Sequence, residues 1–148
     1  LVCSRNDPRK NLPLTMEAVV HARGRVEPLL ALGDVPAPQV EEWYRIAEIF
    51  VTTSHSEGFN LTLLQGMAAG CACIASDIPA HRELLEDGKE GLLFDSPESM
   101  KLKIDAVIAD PELRARLGAA ARSKSLSYTW RRTAELTAGV YRQVQGSP

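Results

Sequence analysis

Seven consecutive residues, Ser54-His55-Ser56-Glu57-Gly58-Phe59-Asn60, combine hydroxyls, a carboxylate and a side-chain-free position. They stand between an apolar run, Ile49-Phe50-Val51, and the start of a helical pattern near Leu61. A helix beginning there presents unpaired backbone N–H groups and the positive end of its dipole. Gly58 lets a ligand approach the backbone, so the segment reads as an anion cradle suited to a phosphate. Glu57 conflicts with a pure phosphate site, since two unit charges ~4 Å apart at an effective dielectric near ~20 repel by about 4 kcal/mol. A useful Glu57 therefore points past the phosphate to neutral hydroxyls, which make strong charge-assisted bonds to a carboxylate. Phosphate beside polyol describes a nucleotide sugar. Residue type alone equally allows Glu57 to serve loop amides or a helix terminus.

Two cations belong to the same question. Arg5 leaves the first apolar run and Lys10 follows five residues later. If the strands are parallel, both lie on the rim that carries Glu57. Arg can grip a phosphate with two donors, whereas Lys supplies a mobile point charge. Taken alone, both also read as solvated loop charges.

Positioning these groups requires a regular scaffold. Short β-rich runs alternate with helical patterns, the signature of βαβ units and a parallel sheet covered on both faces. Strands are expected at Leu1–Ser4, Val26–Leu32, Ile49–Val51, Cys71–Ser76 and Gly91–Phe94. Pro28 marks the second as an edge or a late entry. Helices are expected from about Leu12 to Ala22, Gln39 to Ala47, Leu61 to Ala69 and Ala80 to Leu85, with helical sequence thereafter. Asn60 is placed to cap the third helix, Gly70 to end it, and Ser96-Pro97 and Asp110-Pro111 to start two more. A last helix follows Tyr128-Thr129-Trp130, and Gly146-Ser147-Pro148 reads as a frayed end. The fold class is α/β, a Rossmann-like three-layer domain spanning 1–148. Ligands of such sheets sit beyond the carboxyl ends of the strands, where the Glu57 loop must lie.

Composition narrows the alternatives. The chain has 148 residues, 45% hydrophobic and 24% charged, ordinary values for a globular domain with its own core. Seventeen basic against nineteen acidic residues, a net charge of −2, provide no positive field for nucleic acid or an anionic membrane. No apolar run approaches the ~20 residues of a membrane span, and the opening residues do not resemble a signal peptide. They read as a strand in progress without an initiator Met, so further sequence is expected before Leu1. Cys3, Cys71 and Cys73 are expected as reduced core thiols, which suggests the cytoplasm. Cys71-Ala72-Cys73 lacks a third and fourth ligand at zinc spacing. His55 is expected to stabilise its loop, His81 to lie at the surface or cap, and His21 to be a helix-end cation. Trp43 and Trp130 are expected in the core or in helix packing, Met67 on a packed face, and Arg114, Arg116 and Arg122 on a solvated one.

The ordered succession Arg5, Lys10, Ile49-Phe50-Val51, SEGFNLTLLQGMAAG, CIASDIPAHRELLEDGKEGLLFD and DPELRARLGAAAR resembles the C-terminal, donor-binding domain of retaining GT-B glycosyltransferases. The likeness covers nearly the whole chain and implies a single half of a GT-B architecture. It further implies metal-independent transfer with retention at the anomeric carbon, a nucleotide-sugar donor and no cofactor. The implied catalytic residues are Arg5 and Lys10, on the donor diphosphate, and Glu57, on sugar hydroxyls. Gly58, Phe59, Asn60 and Leu61 match the phosphate-and-sugar loop, and Gly33, Asp34 and Val35 the nucleobase contact. Where the family carries a second acid for the ribose, this chain has Gln65, a difference of around 1 kcal/mol between charged and neutral hydrogen bonds. The family also normally has another β-α unit where this chain passes from Arg23 almost directly to Val26.

The resemblance implies an N-terminal acceptor-binding half, fused or separate, that would supply the acceptor pocket and any peripheral membrane contact. The helix at about 129–148 is expected to pack toward it, and this domain alone is expected to be inactive. The competing reading is a non-catalytic binding or assembly module that keeps the fold but has lost the donor. A flavodoxin-like receiver or redox domain lacks its acidic cluster and flavin loop here.

Overall fold

A computed structural model describes residues 2–4, 7–32 and 35–145, with side chains described for 7–29 and 35–144. In chain order the elements are β1 (Val2–Ser4), a 3-10 turn (Pro8–Lys10), α1 (Leu12–Ala22), β2 (Leu30–Leu32), α2 (Ala37–Ile46), β3 (Ile49–Thr52) and α3 (Leu61–Ala69). There follow β4 (Ala72–Ser76), α4 (Pro79–Leu84), β5 (Gly91–Phe94), α5 (Pro97–Ala109), α6 (Pro111–Ser125) and α7 (Trp130–Gln145). Strands β3, β4 and β5 form a parallel sheet in that order, with Phe50 opposite Cys73 and Cys73 opposite Gly91. Strands β1 and β2 pair in parallel, and β1 runs close beside β3.

The period-two alternation of the central strands divides the core. Val51, Ala72, Ile74 and Phe94 face one side and pack with Ala18, Met100, Ile104 and Val107 from α1 and α5. Phe50, Cys73 and Ala75 face the other and pack with Tyr44, Leu63, Met67 and Leu84 from α2, α3 and α4. Helix α6 straddles the two, sending Leu117 to the first cluster and Ala121 to the second. It can do so because Gly118 packs directly on the Gly70 carbonyl, where a Cβ would collide with backbone. The result is a sheet between helical layers, as the alternating pattern implies.

Local signals act as expected at several ends. Asn60 caps α3, Ser96 and Asp110 cap α5 and α6, and Gly70 ends α3 at φ 83°. Three expectations need correction. Strand β2 begins at Leu30, not Val26, since Pro28 cannot donate to a ladder. Trp130 is 79% exposed and packs in no core, because α7 leaves the body with one apolar face open. Arg114 is no solvated charge: it lies between α5 and α6 and donates to the Val107 carbonyl at 2.7 Å, satisfying a helix-end acceptor. Arg116 and Arg122 are exposed as expected, with Arg116 donating to the Gly88 carbonyl at 2.9 Å. From the end of α1 to β2 the chain forms no further strand or helix, only the isolated bridge Arg23–Val26. The expected core setting is met at Cys71 and Cys73, both fully buried; the Cys3 side chain and 146–148 lie outside the described residues.

Candidate functional site

The turn that follows β1 and the loop that follows β3 meet on one edge, and this edge gathers the polar residues. Residues Thr52, Thr53 and Ser54 leave β3 while still buried. They anchor the turn that carries Lys10. Thr53 Oγ1 donates toward the carbonyls of Lys10 at 3.1 Å and Asn11 at 3.3 Å, and it therefore accepts from Thr15 Oγ1 at 2.6 Å. The His55 amide adds a bond to the Arg9 carbonyl at 2.7 Å. Asn11 takes a left-handed φ of 51°, which Asn tolerates better than most residues and which turns the chain into α1.

This clamp brings Lys10 to Glu57 across 47 positions of sequence, with Nζ 2.5 Å from Oε1. Both side chains are largely enclosed. The Ser54 hydroxyl donates to the same Oε1 at 2.7 Å. The ammonium offsets the charge of the carboxylate, easing the repulsion that Glu57 would otherwise exert on an anion nearby. The sequence expectation that Lys10 and Glu57 share a rim is thus met geometrically, and the two are closer than that expectation required.

Beyond Glu57 the backbone opens. A Cβ placed on Gly58 would meet nothing within 4 Å, so internal packing does not demand glycine there. Among the described residues, no hydrogen bond takes the amides of Gly58 or Phe59. Asn60 is buried and its Oδ1 accepts from the Leu63 amide at 3.0 Å and the Thr62 hydroxyl at 2.8 Å. Phe59 and Leu61 are exposed, and Gln65 lies exposed on the next turn of α3. The Phe59 ring leans on Tyr128, with centroids 5.9 Å apart. Val35 is half-buried. Arg5, Gly33 and Asp34 lie outside the described residues.

His81 requires a correction, since it is fully buried behind the loop and not a surface residue. Its Nδ1 bonds the Ser76 carbonyl and its Nε2 faces Asn60. Burial holds the imidazole below its usual pKa of 6.5, with the Ser76 bond acting in the opposite direction. No periodic pattern announces it; the available signal was that Asn60 and His81 both follow adjacent strands. His55, by contrast, keeps an exposed side chain, and its loop bond comes from the backbone amide. His21 does act as a helix-end partner, 2.8 Å from Asp105. Among the described residues no three His, Cys, Asp or Glu side chains are grouped to hold a metal ion.

Comparisons with known proteins bear on family and fold. Residues 4–124 match the family described as glycosyl transferases group 1. The lipopolysaccharide core biosynthesis mannosyltransferase LpcC of Rhizobium leguminosarum bv. viciae is 34% identical over 88% of this chain and 38% of its own length. The chain spans well under half of the curated relatives it matches. Among solved structures, the C-terminal domain of a glycosyl transferase group 1 family protein (LpcC) from Francisella tularensis superposes with a TM-score of 0.71 at 22% identity, covering 85% of this chain and 83% of that one. The pneumococcal O-GlcNAc transferase GtfA, solved with UDP and GlcNAc, gives 0.76 at 20% identity over 99% of this chain and 35% of its own. These likenesses place the fold as one Rossmann-like half of a GT-B architecture. With the family match running from the end of β1 through the loop, α3 and most of α6, the chain belongs to the glycosyl transferases of group 1.

Proposed function

We propose that this chain is the donor-binding half of a retaining, metal-independent glycosyltransferase, which takes a nucleotide sugar and passes the sugar to an acceptor held by a second domain. The observation that carries the reading is the meeting of Lys10, Glu57 and the open Gly58-Phe59 backbone at the start of α3. In this reading Lys10 exchanges part of its bond to Glu57 for the donor diphosphate, with Arg5 as its companion. The amides of the Gly58 to Asn60 segment complete the cradle, with Leu61 at its rim. Charge that develops on the departing diphosphate meets preorganised cations and N–H dipoles, commonly the largest contribution to catalysis. Glu57, released from full engagement with Lys10, accepts from sugar hydroxyls. Gln65 accepts from the ribose, and Gly33, Asp34 and Val35 line the base. No group on this chain is assigned to the acceptor.

The same reading gives α7 its purpose. Its apolar residues Leu136, Val140, Tyr141 and Val144 are exposed at roughly helical spacing, a face that fits the acceptor-binding domain. The burial of Cys71 and Cys73 in the core fits a protein of the reducing cytoplasm. No helix among the described residues is long and apolar enough to cross a membrane.

Calorimetric titration with UDP, GDP and ADP tests the proposal: one of them binds, and the chain alone transfers no sugar. No heat with any of the three defeats it. A second reading, an assembly module that has lost its donor, draws on the direct passage from α1 to β2 and on Gln65 in place of an acid. That reading gains if a neighbouring protein is found packed over the Gly58 loop.

A further inference from the structure

His81 is buried to zero accessibility in the first turn of a short helix, with both ring nitrogens engaged. Nδ1 lies 2.7 Å from the Ser76 carbonyl oxygen, and a carbonyl only accepts, so the ring proton sits on Nδ1. Nε2 is then the acceptor and takes a bond from Asn60 Nδ2 at 2.9 Å. Nδ2 has a second acceptor in Thr52 Oγ1 at 3.3 Å. This settles which way the Asn60 amide faces. Its oxygen must turn to α3, where the Leu63 amide and Thr62 hydroxyl both donate to it.

We propose that His81 is a positioning residue: as a neutral imidazole protonated on Nδ1, it relays the polarity of the Ser76 carbonyl through Asn60 to the first turn of α3, and so holds the Gly58–Asn60 backbone in its binding geometry. The capping step stands on these bonds alone, whereas its consequence for a ligand rests on the donor-site reading above. A second proton, on Nε2, would set N–H against N–H at Asn60. The amide would then have to turn over, presenting Nδ2 to the Leu63 N–H and abolishing the cap. The charged groups facing the ring are Glu57, from the loop after β3, which favours protonation, and Lys10, from the 3-10 turn, which opposes it. The neighbours that bond it, Ser76 and Asn60, are neutral.

The test compares wild type, His81→Gln and His81→Phe. Gln can still accept from Asn60, whereas Phe cannot. Long-range proton–nitrogen correlation spectra should place the wild-type proton on Nδ1. Exchange of the Leu63 amide should be slow in wild type and in His81→Gln, and roughly tenfold faster in His81→Phe, the scale of a lost N-cap. Nucleoside diphosphate titrations from about pH 8 to about pH 5 should show affinity falling more steeply in wild type than in His81→Gln, which keeps only the fall from protonation of the ligand's own terminal phosphate near ~6. A proton found on Nε2, or equal Leu63 exchange in all three proteins, overturns the relay. If His81→Phe does not fold, the tautomer and the pH profile of His81→Gln decide. Absence of diphosphate binding by wild type, with the tautomer and Leu63 protection as expected, defeats the donor-site reading and supports the capping role.

Discussion

Around β3, β4 and β5 both faces of the sheet are covered, and Phe50, Leu63, Met67, Ile74 and Leu84 are sealed from solvent. Beside α1 and β2 the covering is thinner. Val20 is 66% exposed, Val26 also faces solvent, and a cleft of about 60 Å3 opens between Val26, Leu29, Ile49 and Ile108. The first region has its full succession of strands and helices; the second is where the chain runs from α1 to β2 without an intervening β-α unit. The difference teaches that the rim bearing Lys10 and Glu57 depends on the complete region. The clamp on Lys10 comes from Thr53 and His55, the cap on α3 from Asn60, and the support for Asn60 from His81. None of these belongs to the thinner side, so the elements that hold Lys10 and Glu57 together do not depend on a further unit there.

The largest expected effect is on stability in the complete region. Leu63→Ala removes a fully buried side chain and should cost about 2–5 kcal/mol in urea unfolding; a cost no larger than that of a surface change would erase the contrast. Next comes binding: Lys10→Met should weaken a nucleoside diphosphate by about 1.5–3 kcal/mol, the worth of a hydrogen bond to a charged group, while leaving the bare nucleoside unaffected. Equal losses for both ligands in calorimetry would remove Lys10 from the diphosphate. An intermediate effect concerns pH. Unfolded histidine binds its proton near 6.5, and buried His81 does so only at lower pH. Between those two values the unfolded state holds more protons, so stability falls as pH falls, by at most about 1.4 kcal/mol per pH unit. Denaturant midpoints for wild type and His81→Gln should diverge over that interval; parallel curves would argue against a neutral native imidazole. Gln65→Glu should tighten nucleotide binding by about 1 kcal/mol if the α3 side chain meets a ribose, and not at all otherwise. Smallest of all, Val20→Ser on the thin side should alter stability by no more than about 0.5 kcal/mol, because that side chain is already wet.

Much of the α3 neighbourhood was legible beforehand. Asn60 before an apolar run, Gly70 after it and the unbroken Ile49-Phe50-Val51 are local signals whose physics needs only a few neighbouring residues, and β3, α3 and their boundaries follow them closely. Strand β2 was overread because Val26 and the apolar residues after it favour extension, while the missing donor at Pro28 keeps them from the ladder. Trp130 was overread for another reason: an amphipathic helix implies a covering surface, and α7 has none among the described residues. The burial of His81 has no local signature, since a histidine in a short helix has the same local pattern whether it faces water or a neighbouring strand end; only the adjacency of β3 and β4 points to it.

Element types, their caps and the α/β order were therefore determined by the sequence itself, through side-chain periodicity and backbone groups seeking partners a few residues away. The union of Lys10 with Glu57 and of His81 with Asn60 was decided only by tertiary structure. These partners are separated by 47 and 21 positions, and no local preference acts over such distances. Parallel strands ending on one edge bring them within bonding reach, and burial there obliges each polar group to find the other.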